Sequence, residues 1–272
     1  MSKYKLIASD LDGTLLDPQG NISAGNLNAI HALAEKGIHF VPCTGRTLCE
    51  LPQAVLNSPD IRYVIYSNGT VTLDRHTGQR LLCTGPGALA AKASDLILRH
   101  DVHIALRAGE LYADVRDNTP EGYSHYNMYY TPVDVLQKFS TGIRDFRSKH
   151  CDIQNVEVIS LFFRSMEELK LCSDALRRLG GLHVAEPLPF NLEIFREDAG
   201  KGTALLYLAE HLGIDIRDTI GVGDSGNDII LLQTANLGLA VANATDSLKA
   251  VCDEIICANT EDAIDYIAKR YF

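Results

Sequence analysis

The chain opens on an unbroken apolar run over residues 6–8, which stops abruptly at Ser9-Asp10-Leu11-Asp12-Gly13-Thr14. A run without polar alternation marks a strand buried on both faces of a parallel sheet. The period then changes. Ser23 stands as a cap before Leu27, Ile30, Leu33 and Ala34, which share one helical face, and Gly37 ends the helix. Strands are predicted over 38–43 and 62–66, and 71–74 with 79–83 alternate around Thr77-Gly78 as a hairpin. The strand–helix pattern returns late in the chain. A helix carries Leu205, Leu206, Leu208, Ala209 and Leu212 up to Gly213. Then come a strand over 219–222, a helix, a strand over 237–241, a short helix, a strand over 254–257 and a last helix from Thr260. Alternation of this kind at both ends predicts an α/β fold, one Rossmann-like, doubly wound parallel sheet assembled from both ends of the chain.

Between these ends the pattern differs. Gly85-Pro86-Gly87 is a strong boundary signal. A helix is predicted to His100, then a hairpin of 102–106 with 111–115, then an irregular stretch over 117–130 rich in tyrosine (Tyr123, Tyr126, Tyr129, Tyr130). A helix over 132–146 and a strand over 156–163 follow. Ser165 and Glu168 form a capping box for a helix to Leu179, stopped by Gly180-Gly181. Residues 182–185 and 191–195 read as strands. This is an α+β module, so the expected organisation is a core of residues 1–83 plus 190–272 with residues 84–189 inserted.

Composition narrows the field. At 272 residues the chain holds one large domain or two, and 46% apolar content supports a sizeable core. A formal net charge of −10 argues against non-specific nucleic-acid binding and against an anionic membrane surface. No apolar run reaches the roughly 18 residues of a membrane helix. Met-Ser-Lys-Tyr-Lys runs straight into the first strand, which leaves no room for a signal peptide. The seven cysteines are odd in number and lack C-x-x-C spacing, and the histidines lack H-E-x-x-H. They read as reduced thiols in a cytoplasmic protein. Oligomeric state is not readable.

The candidate chemistry sits where strands end. Asp10 and Asp12 follow the first strand, where open α/β sheets bind ligands, and two adjacent carboxylates call for a cation or a shared proton. Thr44-Gly45-Arg46 ends the second strand, where a hydroxyl and exposed backbone N–H groups make a phosphate cradle. Lys201 lies in Gly-Lys-Gly-Thr ahead of a helix. Gly223-Asp224-Ser225-Gly226-Asn227-Asp228 follows another buried strand, and its D-x-x-x-D spacing suits a hard cation.

With D-x-D-G-T, T-G-R, G-K-G-T and G-D-x-x-N-D in this order, the chain resembles the haloacid dehalogenase superfamily of aspartyl phosphotransferases, and within it the Cof-type phosphatases. The resemblance implies an Mg²⁺-dependent phosphatase acting on small phosphorylated metabolites such as sugar phosphates, pyridoxal phosphate or flavin mononucleotide. It makes Asp10 the nucleophile that becomes an aspartyl-phosphate, and Asp12 the acid that protonates the leaving oxygen and then the base for water. Thr44, Gly45, Arg46, Lys201 and Asn227 would hold phosphate, Lys201 also steadying the nucleophile. Asp10, the Asp12 backbone carbonyl, Asp224 and Asp228 would hold the metal, Asp228 directly or through water. Ser67-Asn68-Gly69 fits the same branch, and so does Asn243, though Ala242 replaces the branch's usual glycine.

The second aspartate argues against dehalogenases and phosphonate hydrolases. The short stretch from Asp12 to Thr44 has no room for a cap, whereas the long one from Thr44 to Lys201 fits a C2B cap that selects substrate. A phosphomannomutase-type mutase and a non-catalytic phosphometabolite-binding module are the alternatives; the four motifs do not separate phosphatase from mutase. Arg107, Arg116 and His125, with the tyrosines, are candidate substrate contacts in the insert. Arg164 and Glu193 read equally as sheet-surface residues.

Overall fold

The first strand, Leu6–Ser9, is buried at all four positions, as its unbroken apolar run requires. The computed structural model to which it belongs describes residues 3–108, 111–114, 120–128, 140–142, 156–186 and 188–272. Two compact units result: Met1–Arg46 with Leu51–Cys83 and Gly200–Phe272, and Thr47–Glu50 with Thr84–Ala199.

In the first unit five parallel strands run in the order Glu254–Ile255, Leu237–Ala240, Thr219–Gly223, Leu6–Ser9, His39–Pro42. Leu6 lies opposite both Thr219 and His39, so three carboxyl ends come level. The chain runs outward from Leu6–Ser9 on one side and from Thr219–Gly223 on the other. The boundary between these strands is therefore a topological switch point, where such sheets open a crevice. The helices are cut by the signals the sequence carries. Ala24–Glu35 starts at Ser23, whose hydroxyl accepts from Asn26 N–H, and Gly37 follows its end at φ +74°. Lys201–His211 packs on Ile229–Thr234, and Gly202 sits at the contact, where a Cβ would come within 2.4 Å of Thr234 Oγ1. Tyr63–Tyr66 does not extend the parallel sheet as a full strand. It meets the second strand through a bridge between Cys43 and Ile65 and heads an antiparallel sheet with Val71–Asp74 and Gln79–Cys83.

The second unit holds a six-stranded sheet in the order Leu182–Ala185, Asn191–Arg196, Val158–Phe163, Val102–Ala108, Leu111–Asp114, Ser140–Gly142, antiparallel except for the last pair. Ile104, Leu106, Ile159, Leu161, Leu192 and Ile194 face one way, into a core shared with helices Leu89–Ile97 and Met166–Leu179. Ser165 Oγ accepts from Glu168 N–H at the start of the second helix.

Three details depart from the sequence reading. Asn191–Arg196 pairs with Val158–Phe163 and so belongs to this sheet, which moves the boundary from residue 190 to about Gly200, a glycine without side-chain hindrance to the turn. Within 117–130, read as irregular, Pro120–His125 is a helix, because proline suits the first helical position. Within 132–146, read as a helix, Ser140–Gly142 is a strand, as a Ser-Thr-Gly run of low helix propensity allows. The rest of that expected helix, with Arg116, Tyr129 and Tyr130, lies outside the described residues.

Candidate active site

The switch point gathers the acidic residues. Asp10 takes over from the first strand by donating its N–H to the Val222 carbonyl (2.9 Å), which holds it beside the end of Thr219–Gly223 and hence beside Asp224. Asp10 and Asp228 are buried, Asp224 half-buried. One carboxylate oxygen from each of the three lies within 4.8 Å of the others. Lys201, at the first position of its helix and 2% exposed, donates from Nζ to Asp10 Oδ1 and to Asp228 Oδ1, both at 2.6 Å.

Glycines make the approach possible. Gly69 (φ +88°) lies so close to the backbone of Gly200 that a Cβ would sit 2.2 Å from its carbonyl carbon. A side chain there would push the Lys201 helix away. Gly13 (φ +79°) does the same for Asp224: a Cβ would lie 2.7 Å from Oδ2. Thr14 Oγ1 also donates to Asp224 Oδ1 (3.2 Å), and Asn243 Nδ2 donates to the Gly13 carbonyl (2.7 Å), tying the turn after Asp12 to the loop after Ala240. Asp228 Oδ2 accepts from the N–H groups of Asp224 and Ser225, closing its loop.

The electrostatics are unbalanced. Three carboxylates face one ammonium. Burial pushes the Asp10 carboxyl up to about 8 against the pull of Lys201, with Asp228 adding to the rise. Burial and then Asp228 push Asp224 up to about 6. Burial also works against the Lys201 ammonium, but Asp10 and Asp228 outweigh it and hold its pKa above the usual lysine value. The buried Cys43 thiol is likewise raised by burial, next to the same groups. An all-oxygen donor set with excess negative charge fits a hard divalent cation, which would return both aspartates to the ionised form.

The remaining expected residues fall around this cluster. Thr44 is buried. Its Oγ1 accepts from Arg46 N–H (3.1 Å), and its carbonyl accepts from Asn68 N–H (3.0 Å). A Cβ on Gly45 would meet Asn68 Oδ1 at 2.8 Å, so Gly45 keeps that strand end open to the 67–69 loop. The Asp12 carboxylate stands apart from the acidic cluster and lies on Arg46, which donates from Nε to Oδ2 (2.8 Å) and from a terminal nitrogen to Oδ1 (2.6 Å). Asn227 is exposed and accepts from Ser225 Oγ (2.8 Å). Thr14, Gly69 and the raised Cys43 carry no site role in the sequence reading, although Thr14 closes D-x-D-G-T, Gly69 closes S-N-G and Cys43 precedes T-G-R. In the second unit Arg107 pairs with Glu193 (3.2 Å), Arg164 reaches Asp101 (3.5 Å) and His125 is exposed.

Comparison with known proteins bears on this geometry. Residues 7–267 match the family model of haloacid dehalogenase-like hydrolases. A 5-amino-6-(5-phospho-D-ribitylamino)uracil phosphatase of Bacillus subtilis is 29% identical, over 96% of each chain. A haloacid dehalogenase-like hydrolase of known structure from Bacteroides thetaiotaomicron is 24% identical, with TM-score 0.80 over 99% of this chain and 100% of that one. A subclass IIB sugar phosphatase of the same superfamily superposes with TM-score 0.76 at 19% identity, covering 98% of both chains. Likeness at these identities between structures speaks for the fold.

Proposed function

The chain belongs to the haloacid dehalogenase-like hydrolases and is a phosphatase of that superfamily; we propose that it hydrolyses small phosphorylated metabolites with Mg²⁺ through an aspartyl-phosphate on Asp10. The observation that carries the reading is the pairing of a buried aspartate at a strand end with a buried lysine, 2.6 Å apart, at a surplus of carboxylates. In the first half-reaction an Asp10 oxygen attacks phosphorus and the bond from phosphorus to the leaving oxygen breaks. Asp12 gives that oxygen its proton. In the second half, Asp12 takes a proton from water, whose oxygen attacks the phosphoryl group, releasing inorganic phosphate and restoring Asp10. Lys201 neutralises charge on nucleophile and phosphoryl oxygens, and Thr44 Oγ1 with the Gly45 N–H supports those oxygens. Asn227, exposed and two residues from Ser225, would contact phosphate or bound water.

Mg²⁺, when bound, supplies charge relief between carboxylate and phosphate dianion. Asp10, Asp224 and the Asp12 carbonyl would hold it. Asp228, whose oxygens are already engaged by Lys201 and two backbone N–H groups, would contribute through water. The unit around residues 84–199 acts as the substrate-selecting cap. Sugar phosphates and ribityl-type phosphates are the classes that the relatives' names suggest.

The test is phosphate release from a panel of such esters, with Mg²⁺ or chelator, by wild type and Asp10→Asn side by side. Release that needs Mg²⁺ and vanishes in the variant supports the reading. Undiminished release by Asp10→Asn removes the aspartyl-phosphate from it. Isomerisation of hexose phosphates in place of release replaces it with the mutase.

A further inference from the structure

Arg46 is the one cation of the phosphate-cradle motif, yet its guanidinium lies on a carboxylate. Both carboxylate oxygens of Asp12 receive a hydrogen bond from it, at 2.8 and 2.6 Å. Such a two-point contact fixes the plane of a carboxylate as well as its place. The Asp12 side chain is 56% exposed, so the turn leaves it free rotamers that the contact removes. Arg46 itself is well placed to impose this. Its N–H donates to Thr44 Oγ1 (3.1 Å), and its carbonyl accepts from Ser67 N–H (2.8 Å), so two loops fix its backbone. Thr44 is in turn fixed by Ile65 and Asn68. An ion pair this exposed adds little to stability, so its geometry is better explained by what it orients.

We infer that Arg46 is a positioning residue that holds the Asp12 carboxylate in the orientation from which it serves the leaving oxygen. The inference rests on the acid–base role of Asp12 proposed above. It assigns Arg46 to the leaving-group side of the reaction, in addition to any contact with phosphate. A lysine at 46 would keep the charge and lose the fork.

The experiment compares kcat/KM for substituted phenyl phosphates and a hexose 6-phosphate, in Mg²⁺, for wild type, Arg46→Ala, Arg46→Lys, Asp12→Asn and the Asp12→Asn/Arg46→Ala double variant. Activated aryl esters need little protonation of the leaving oxygen; the hexose ester needs it. Arg46→Ala is expected to raise the aryl-to-hexose ratio about 30-fold, within the range that misplacing a general acid costs. Arg46→Lys is expected to leave the ratio raised. In the Asp12→Asn background Arg46→Ala is expected to leave the ratio where Asp12→Asn alone puts it.

Equal losses on all esters from Arg46→Ala would place Arg46 on the phosphate and overturn the inference. So would a ratio restored by lysine, or a further rise in the double variant. If Arg46→Ala does not fold, as read by circular dichroism, Arg46→Gln and Arg46→Lys carry the same comparison. A wild type that hydrolyses none of these esters overturns the phosphatase reading itself, an outcome distinct from the others.

Discussion

The parallel-sheet unit and the antiparallel-sheet unit both bury charged side chains, but on different terms. Around Lys201 three carboxylates face one ammonium, and burial raises Asp10 and Asp224 well above the usual carboxylate range. In the other unit Arg107 on Val102–Ala108 meets Glu193 on Asn191–Arg196 across the intervening strand, at 3.2 Å, a guanidinium against a carboxylate. A balanced buried pair is a feature of packing: breaking it hurts, and its presence asks for nothing further. An unbalanced cluster costs folding free energy as it stands and makes sense when a ligand brings the missing charge. The contrast separates a site from a structural ion pair more sharply than burial does, since both sets are buried.

The largest effect tests the unbalanced side. Asp10→Asn is expected to lower turnover by at least ~10⁴-fold, the scale of losing a nucleophile. The asparagine oxygen can still accept from Lys201, and a carboxyl that burial holds well above its usual range is gone. The metal-free variant is therefore expected to unfold at a temperature no lower than wild type. Scanning calorimetry in chelator checks this. Marked destabilisation with turnover intact would mean the cluster is structural after all.

The next effect tests the balanced side. Glu193→Ala removes a carboxylate from the buried Arg107 and is expected to cost about 3 kcal/mol in urea unfolding. A cost under about 1 kcal/mol would show that Glu193 is not what balances that guanidinium.

The same contrast explains what was legible in the chain. Leu6–Ser9 and Thr219–Gly223 read directly as buried strands, because a strand covered on both faces leaves an unbroken apolar run. Asp10, Asp224 and Asp228 could be named because each follows such a run. Residues 191–195 read as a strand of the α+β module while the expected boundary at 190 cuts them from it, since pairing with Val158–Phe163 is non-local and leaves no mark in the strand itself. Arg46 reads as part of the phosphate cradle yet lies on Asp12, because side-chain direction is set by how the 44–46 and 67–69 loops meet. Gly69 was legible as a turn residue only. Its contact with Gly200 depends on two segments far apart in the chain.

A third effect sharpens the idea that the cluster awaits a cation. Mg²⁺ at about 100 times its dissociation constant is expected to stabilise wild type by about 2.7 kcal/mol. Asp224→Asn is expected to lose most of that gain, and chelator is expected to abolish turnover of wild type. A thermal shift that is the same in wild type and Asp224→Asn would place the ion elsewhere.

The smallest effect extends the comparison to a pair that is balanced but half in water. Arg62 donates to both oxygens of Asp74, and with 44% of its own side chain exposed it screens what the contact is worth. Its hydrogen bonds, outweighing burial, lower the Asp74 carboxyl to about 2. A carboxyl depressed in the folded state stabilises it fully above the unfolded pKa of about 3.9, and that contribution fades as pH falls through about 2. With solvent screening the contribution is about 1 kcal/mol. Asp74→Asn is therefore expected to be less stable than wild type by about this amount near neutral pH. The gap should narrow below about pH 4 and close near pH 2. High salt should narrow it too, while the cost of Glu193→Ala, a buried pair, should persist. A gap for Asp74→Asn that ignored both pH and salt would trace to the amide nitrogen set against the Arg62 donors and not to charge, and would take this pair out of the comparison.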